Sequence, residues 1–120
     1  MQYLAVLAIA AGSWFAVPGG SWQPDASMVA EAKSQIEPYV ARHAAQVKEV
    51  LPSWDKYTFQ YQGQELRGKK VVLINASCSA PSSDVATKML VIFDGGPCYF
   101  QAYWDPADKI YVSVVFNGRA

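Results

Sequence analysis

The chain has 120 residues, enough for one domain, and its 52% hydrophobic and 13% aromatic content supplies a core and excludes disorder. Ten basic residues balance ten acidic ones, so the chain lacks the positive footprint with which a nucleic-acid binder neutralises phosphates. Its one basic cluster, Arg67, Lys69 and Lys70 around Gly68, reads as a solvated hairpin.

From Tyr3 to Val17 (YLAVLAIAAGSWFAV) the chain is almost wholly apolar, and Pro18-Gly19-Gly20 ends the run. About 15 apolar residues fall short of the roughly 20 that a membrane-spanning helix needs. The run suits an export signal, with small residues for cleavage at Ala8, Ala10, Ala11 and Ala16. No Lys or Arg precedes it, so the α-amino group alone supplies the positive end. No cysteine directly follows it, which argues against a lipid-anchored precursor. An uncleaved anchor, or a buried helix or strand of the mature fold, are the alternatives. The chain then divides into residues 1–20, an export signal or apolar N-terminal segment, and 21–120, a single α+β domain. This places the protein in the periplasm or outside the cell, with a membrane as partner only during export.

Asp25 or Ser27 can cap a helix starting near Met28. Val29, Ala32, Ile36, Val40, His43, Val47 and Val50 recur at helical spacing as one apolar stripe. Pro38 interrupts it, and Ser34 to Glu37 reads as a capping box that could divide the helix in two. Because the stripe keeps its phase across Pro38, the pattern predicts one long kinked helix, stopped by Leu51-Pro52.

Strand periodicity follows. Tyr57, Phe59 and Tyr61 alternate with Thr58, Gln60 and Gln62, and Gly63 and Gly68 bracket a turn. Residues 70–78 are a β-branched run, 79–87 a polar loop, and 89–93 a further strand. Asp94–Asn117 (DGGPCYFQAYWDPADKIYVSVVFN) then supplies two turns and two aromatic-rich strands, 98–104 and 109–116. Helix first and antiparallel strands afterwards predicts an α+β fold, one long helix on a curled antiparallel sheet of four to five strands.

This element order over residues 27–117 resembles the cystatin-like fold, in which a curled antiparallel sheet wraps one long helix. The resemblance implies the fold and not protease inhibition. Gln60-Tyr-Gln-Gly63 lacks the valine and the spacing of the cystatin Q-x-V-x-G hairpin, and the last hairpin has no Pro-Trp pair. A more local set of motifs is Asn75-Ala-Ser-Cys78, Asp94-Gly-Gly-Pro-Cys-Tyr-Phe100, Tyr103-Trp-Asp-Pro106 and Asn117-Gly-Arg-Ala120. It is similar to a family of small, exported, uncharacterised proteobacterial proteins ending in DGG-x-CYF and NG-x-A signatures. That resemblance implies no activity, cofactor or catalytic residue.

An isolated pair of cysteines in an exported protein reads as a disulfide, Cys78 to Cys98. One geometric difficulty stands against it. If residues 89–93 were a strand between the other two in a simple meander, the cysteines would lie roughly 20 Å apart, against a Cα separation below about 7 Å in a real bridge. Either the bond is absent, or Asp94-Gly-Gly-Pro97 is an excursion that returns Cys98 to Cys78. Two cysteines and the distant His43 make no metal set, and no cofactor is expected.

Nothing in the sequence assembles an acid, a base and a nucleophile. His43 sits on the apolar stripe, and Asp94, Asp105 and Asn117 read as turn residues. A binding surface is the better candidate. With Phe100 and Trp104 facing the helix, Tyr99, Gln101, Tyr103, Tyr111 and Ser113 would share the opposite face as a tyrosine-rich ligand surface. The plainer reading is an outer face covered by loops or by a second subunit. The expected function is thus an exported, non-enzymatic binding or inhibitor-like module for a protein or small molecule, with homodimerisation possible. The alternatives are a small hydrolase or isomerase with a pocket between helix and sheet, and a self-associating envelope protein.

Overall fold

In a computed structural model, which describes residues 12–79 and 84–119, α1 (Ala26–Val47) starts where the Asp25 carboxylate accepts the Met28 amide at 3.0 Å. Asp25, not Ser27, is therefore the cap, and the Ser27 hydroxyl itself donates to it. The helix runs unbroken through Pro38, which lies on its exposed side, where an unpartnered carbonyl can turn to water. Ser34 does not open a second helix; its hydroxyl donates back to the Glu31 carbonyl. Ala32, Ile36, Val40 and Ala44 form the buried stripe.

The helix ends before Leu51-Pro52. Lys48 takes a left-handed conformation (φ 60°), and the Glu49 and Lys48 amides turn back to Ala44 and Ala45 carbonyls. This closing motif usually employs glycine. Val50, expected on the stripe, lies beyond this end and is exposed, and so is Val47 in the last helical turn.

One five-stranded sheet packs against α1: β1 (Trp14–Ala16), β2 (Thr58–Leu66), β3 (Lys69–Ser77), β4 (Tyr99–Asp105) and β5 (Ile110–Phe116), neighbours in that order. β2 to β5 form an antiparallel meander. β1 is parallel to β2, so the sheet is mixed and not purely antiparallel. Phe59, Val72, Ile74, Phe100, Ala102, Trp104 and Val114 meet the helix stripe in the core, with Tyr57 beside them.

β1 comes from the apolar N-terminal run. Trp14 stacks on Phe59 with ring centroids 4.8 Å apart, and Val17 is buried. The end of the presumed signal segment is thus part of the fold; residues 1–11 lie outside the described residues.

Gly63 does not bracket a turn. β2 continues through it to Leu66, and the hairpin closes at Arg67-Gly68, both at positive φ. A Cβ on Gly63 would stand 2.2 Å from the Trp22 carbonyl oxygen, and Ser21 donates to the Gly63 carbonyl at 2.9 Å. Glycine is required there because the chain entering α1 crosses β2 at backbone contact.

Residues 89–93 are not a strand either. β3 pairs directly with β4, Ser77 opposite Tyr99, and residues 84–95 of the intervening chain lie across the outer sheet face. Cys78 and Cys98 therefore sit at the same end of adjacent strands. They are bonded, with Cα atoms 5.0 Å apart, and the Cys78 amide donates to the Cys98 carbonyl. The geometric difficulty disappears because the excursion reading is the right one.

Candidate functional site

The outer face is organised by a row of amides. Gln60, Asn75 and Gln101 stand side by side on β2, β3 and β4. The Asn75 amide group donates to Gln60 Oε1 at 3.0 Å, and the Gln101 amide group donates to Asn75 Oδ1 at 3.0 Å. Such polar residues alternate with core residues along each strand, so the pleat alone sends them outward.

They are nevertheless buried, Gln60 and Asn75 being 4% and 5% exposed, because residues 84–95 pass over them as a strap. Gln60 Nε2 donates to the Val85 and Lys88 carbonyls at 2.8 and 2.6 Å, and its Oε1 accepts the Leu90 amide at 2.8 Å. Asn75 Nδ2 also donates to the Leu90 carbonyl. The side-chain amides thus act toward the strap as a sixth strand's backbone would, offering both donors and acceptors. That explains how an irregular segment can lie on a sheet with its polar backbone satisfied.

The far end of the strap is held by the C-terminal signature. Asn117 Nδ2 donates to the Ile92 and Asp94 carbonyls, and the Gly96 amide donates to the Gly118 carbonyl. Gly95 and Gly96 both have positive φ. A Cβ on Gly95 would meet the Tyr99 ring at 2.6 Å, and one on Gly96 would crowd the Arg119 guanidinium at 3.1 Å. Arg119 is in turn paired with Glu49 at 2.6 Å. Asp94-Gly-Gly-Pro97 and Asn117-Gly-Arg119 are two jaws of one clamp. The Tyr57 hydroxyl adds a bond from the core side to the Pro97 carbonyl, and burial pushes its pKa up to about 12.

The strap leaves a space on each side. One cavity of about 270 Å³ lies between Thr58, Ser77 and Ser79 on the sheet side and Val85, Met89 and Leu90 above. A more open groove of about 420 Å³ runs along Leu73, Gln101, Val115 and Phe93. Between them the strap turns apolar side chains to solvent: Val91 is 65% and Phe93 89% exposed, with Val115 beside the same groove.

Of the five residues expected to share a ligand face, Tyr99, Gln101, Tyr103 and Ser113 are on the outer side, and Tyr103 stands opposite Ser113. Tyr99 lies against Gly95 of the clamp, and Gln101 is bonded to Asn75 and lines the open groove. Tyr111 is misplaced by strict alternation. A register shift puts it opposite Trp104, on the helix side. There it stacks on Tyr39 at 5.0 Å, its hydroxyl donates to the Ala32 carbonyl at 2.6 Å, and desolvation drives its pKa upward. The bulge inserts Val112, which no period-two reading reveals.

The remaining candidates have structural settings. His43 is half-buried with its ring edge-on to Phe116 at 5.2 Å, and neither it nor Asp94 lines the cavities beside the strap. Asp105 does more than turn the chain. Its carboxylate accepts Lys69 Nζ at 2.9 Å and the Ala107 and Asp108 amides, joining the β4–β5 turn to the β2–β3 hairpin. Among the described residues no group of three or more His, Cys, Asp or Glu could hold a metal ion. The signal missed in the sequence was the amide row: Gln60, Asn75 and Gln101 each sit between two apolar or aromatic neighbours, Phe59 and Tyr61, Ile74 and Ala76, and Phe100 and Ala102. No family model, curated protein or solved structure matches the chain.

Proposed function

We propose that this is an exported, non-enzymatic binding module that presents the strap segment Val91–Phe93 to a partner protein. The observation that carries the reading is Phe93, a large apolar side chain almost wholly in solvent on a segment fixed by hydrogen bonds and a disulfide. Exposed apolar groups on a pre-ordered loop suit recognition, since little ordering entropy is lost on binding. The neighbouring groove with Val115 offers room for a partner's side chain.

The bonded cysteine pair supports an oxidising compartment, periplasmic or extracellular. The apolar N-terminal run supports export. The helix followed by an antiparallel meander supports a cystatin-like relationship, from which the parallel β1 departs.

The test is a Val91→Ser/Phe93→Ser variant, checked for native circular dichroism and compared with wild type by crosslinking in a periplasmic extract. Loss of the crosslinked partner in the variant is expected. A variant that folds and retains every partner, or a wild type that captures none, overturns the reading. Tyr99→Ala/Tyr103→Ala reports whether the uncovered part of the face contributes.

A further inference from the structure

The strap rides on the sheet at the height of the Gln60 and Asn75 side chains, which hold it by hydrogen bonds. The next pair on the same face, toward the disulfide, is Thr58 opposite Ser77. These two short side chains do not fill the space beneath the strap. The gap they leave is the cavity of about 270 Å³ roofed by Val85, Met89 and Leu90.

Both walls are set before any ligand enters. Gln60 spends both amide hydrogens on strap carbonyls, and its oxygen accepts from Asn75 and Leu90. The floor belongs to the β2–β3 ladder, and Ser77 and Ser79 flank the bonded Cys78. A pre-formed cavity loses little ordering entropy on binding.

The lining selects the chemistry of the ligand. Asn75 also gives both amide hydrogens away, to Gln60 and Leu90, so neither amide has one left for a ligand. The two charged residues that line the cavity, Asp84 and Lys88, stand 3.8 Å apart and offset each other. What remains is a pair of hydroxyls. Ser77 Oγ and Ser79 Oγ are 2.7 Å apart, and whichever of them donates, the other keeps a hydrogen to give. A cavity of about 150 Å³ takes a benzene ring, so by proportion this one takes about eleven heavy atoms.

We propose that the cavity between strap and sheet binds a small neutral molecule, apolar over most of its surface, whose one hydroxyl or carbonyl group bonds to the Ser77–Ser79 pair. A carboxylate is rejected, because it would lose its water without gaining an unpaired cation. Phe93 does not line the cavity, so the site is independent of the partner surface proposed above.

The probes are para-cresol, toluene and para-toluate, one skeleton bearing a hydroxyl, nothing or a carboxylate. Each is titrated into the oxidised full chain and followed by amide chemical shifts. Expected for cresol are saturable shifts at Thr58, Ser77, Val85 and Met89, with a Kd of about 1 mM or tighter. Toluene should bind the same amides about 2- to 10-fold more weakly, and toluate should give no saturable shift. Ser77→Ala/Ser79→Ala is expected to lower cresol affinity to that of toluene and to leave toluene unchanged. Ser77→Leu, which fills the floor, should abolish binding of both, whereas Phe93→Ser should alter neither. A wild-type cresol titration without saturable shifts at those four amides overturns the proposal, whatever the variants do. So does toluate binding as tightly as cresol, loss of cresol binding in Phe93→Ser, or a cresol preference that survives removal of both hydroxyls.

Discussion

At the scale of single residues, the polar groups that matter are those whose partners lie far away in sequence. Asp105 is the clearest. The Lys69 ammonium, ahead of the two backbone amides, holds its carboxyl below the ordinary aspartate value of 3.8. A depressed folded value means that the unfolded chain takes up the proton first. The stabilisation is therefore complete above about pH 4 and is lost as pH falls through the folded value. The melting temperature of wild type is expected to fall more steeply on acidification below about pH 4 than that of Asp105→Asn. Equal slopes would show that the pair carries no linkage. Asp-Pro announced the turn, but nothing local announced Lys69, which is 36 residues away. Tyr111 was unreadable for a different reason: a single bulge reverses the facing of everything beyond it.

At the scale of elements, periodicity located α1 and the four antiparallel strands, because a buried face imposes its spacing directly on the sequence. It failed where backbone conformation or approach decides. Lys48 ends the helix in a conformation its side chain does not favour, and Gly63 is glycine because Trp22 crosses it. The strap failed most instructively. Met89–Phe93 has the composition of a buried strand, yet the Leu90 amide and the Leu90 and Ile92 carbonyls are met by side chains rather than by a neighbouring strand. Gln60→Ala is expected to expose the Leu90 amide to rapid hydrogen exchange while β3 and β4 stay protected. The cost in stability should be about 1–3 kcal/mol, limited because the freed strap groups can turn to water. Unchanged protection at Leu90 would mean that the amide row is incidental.

At the scale of the whole molecule, the order of helix and strands was legible, and two long-range facts stood in the sequence only as alternatives. One is that the chain enters the sheet before α1, as the parallel edge strand β1. The other is that the sheet closes beneath the strap, bringing two cysteines 20 residues apart onto neighbouring strands. Replacing both by serine is expected to cost about 3 kcal/mol, read from denaturant midpoints of the two proteins. A loss near zero would show that the strap is held by its amides alone. The direct β3–β4 ladder has another consequence. Everything between Cys78 and Cys98 is a covalently closed side-loop, so a residue inserted or exchanged within it shifts no strand register. The strap can vary in sequence without rebuilding the frame, and even a proteolytic nick there leaves both halves joined.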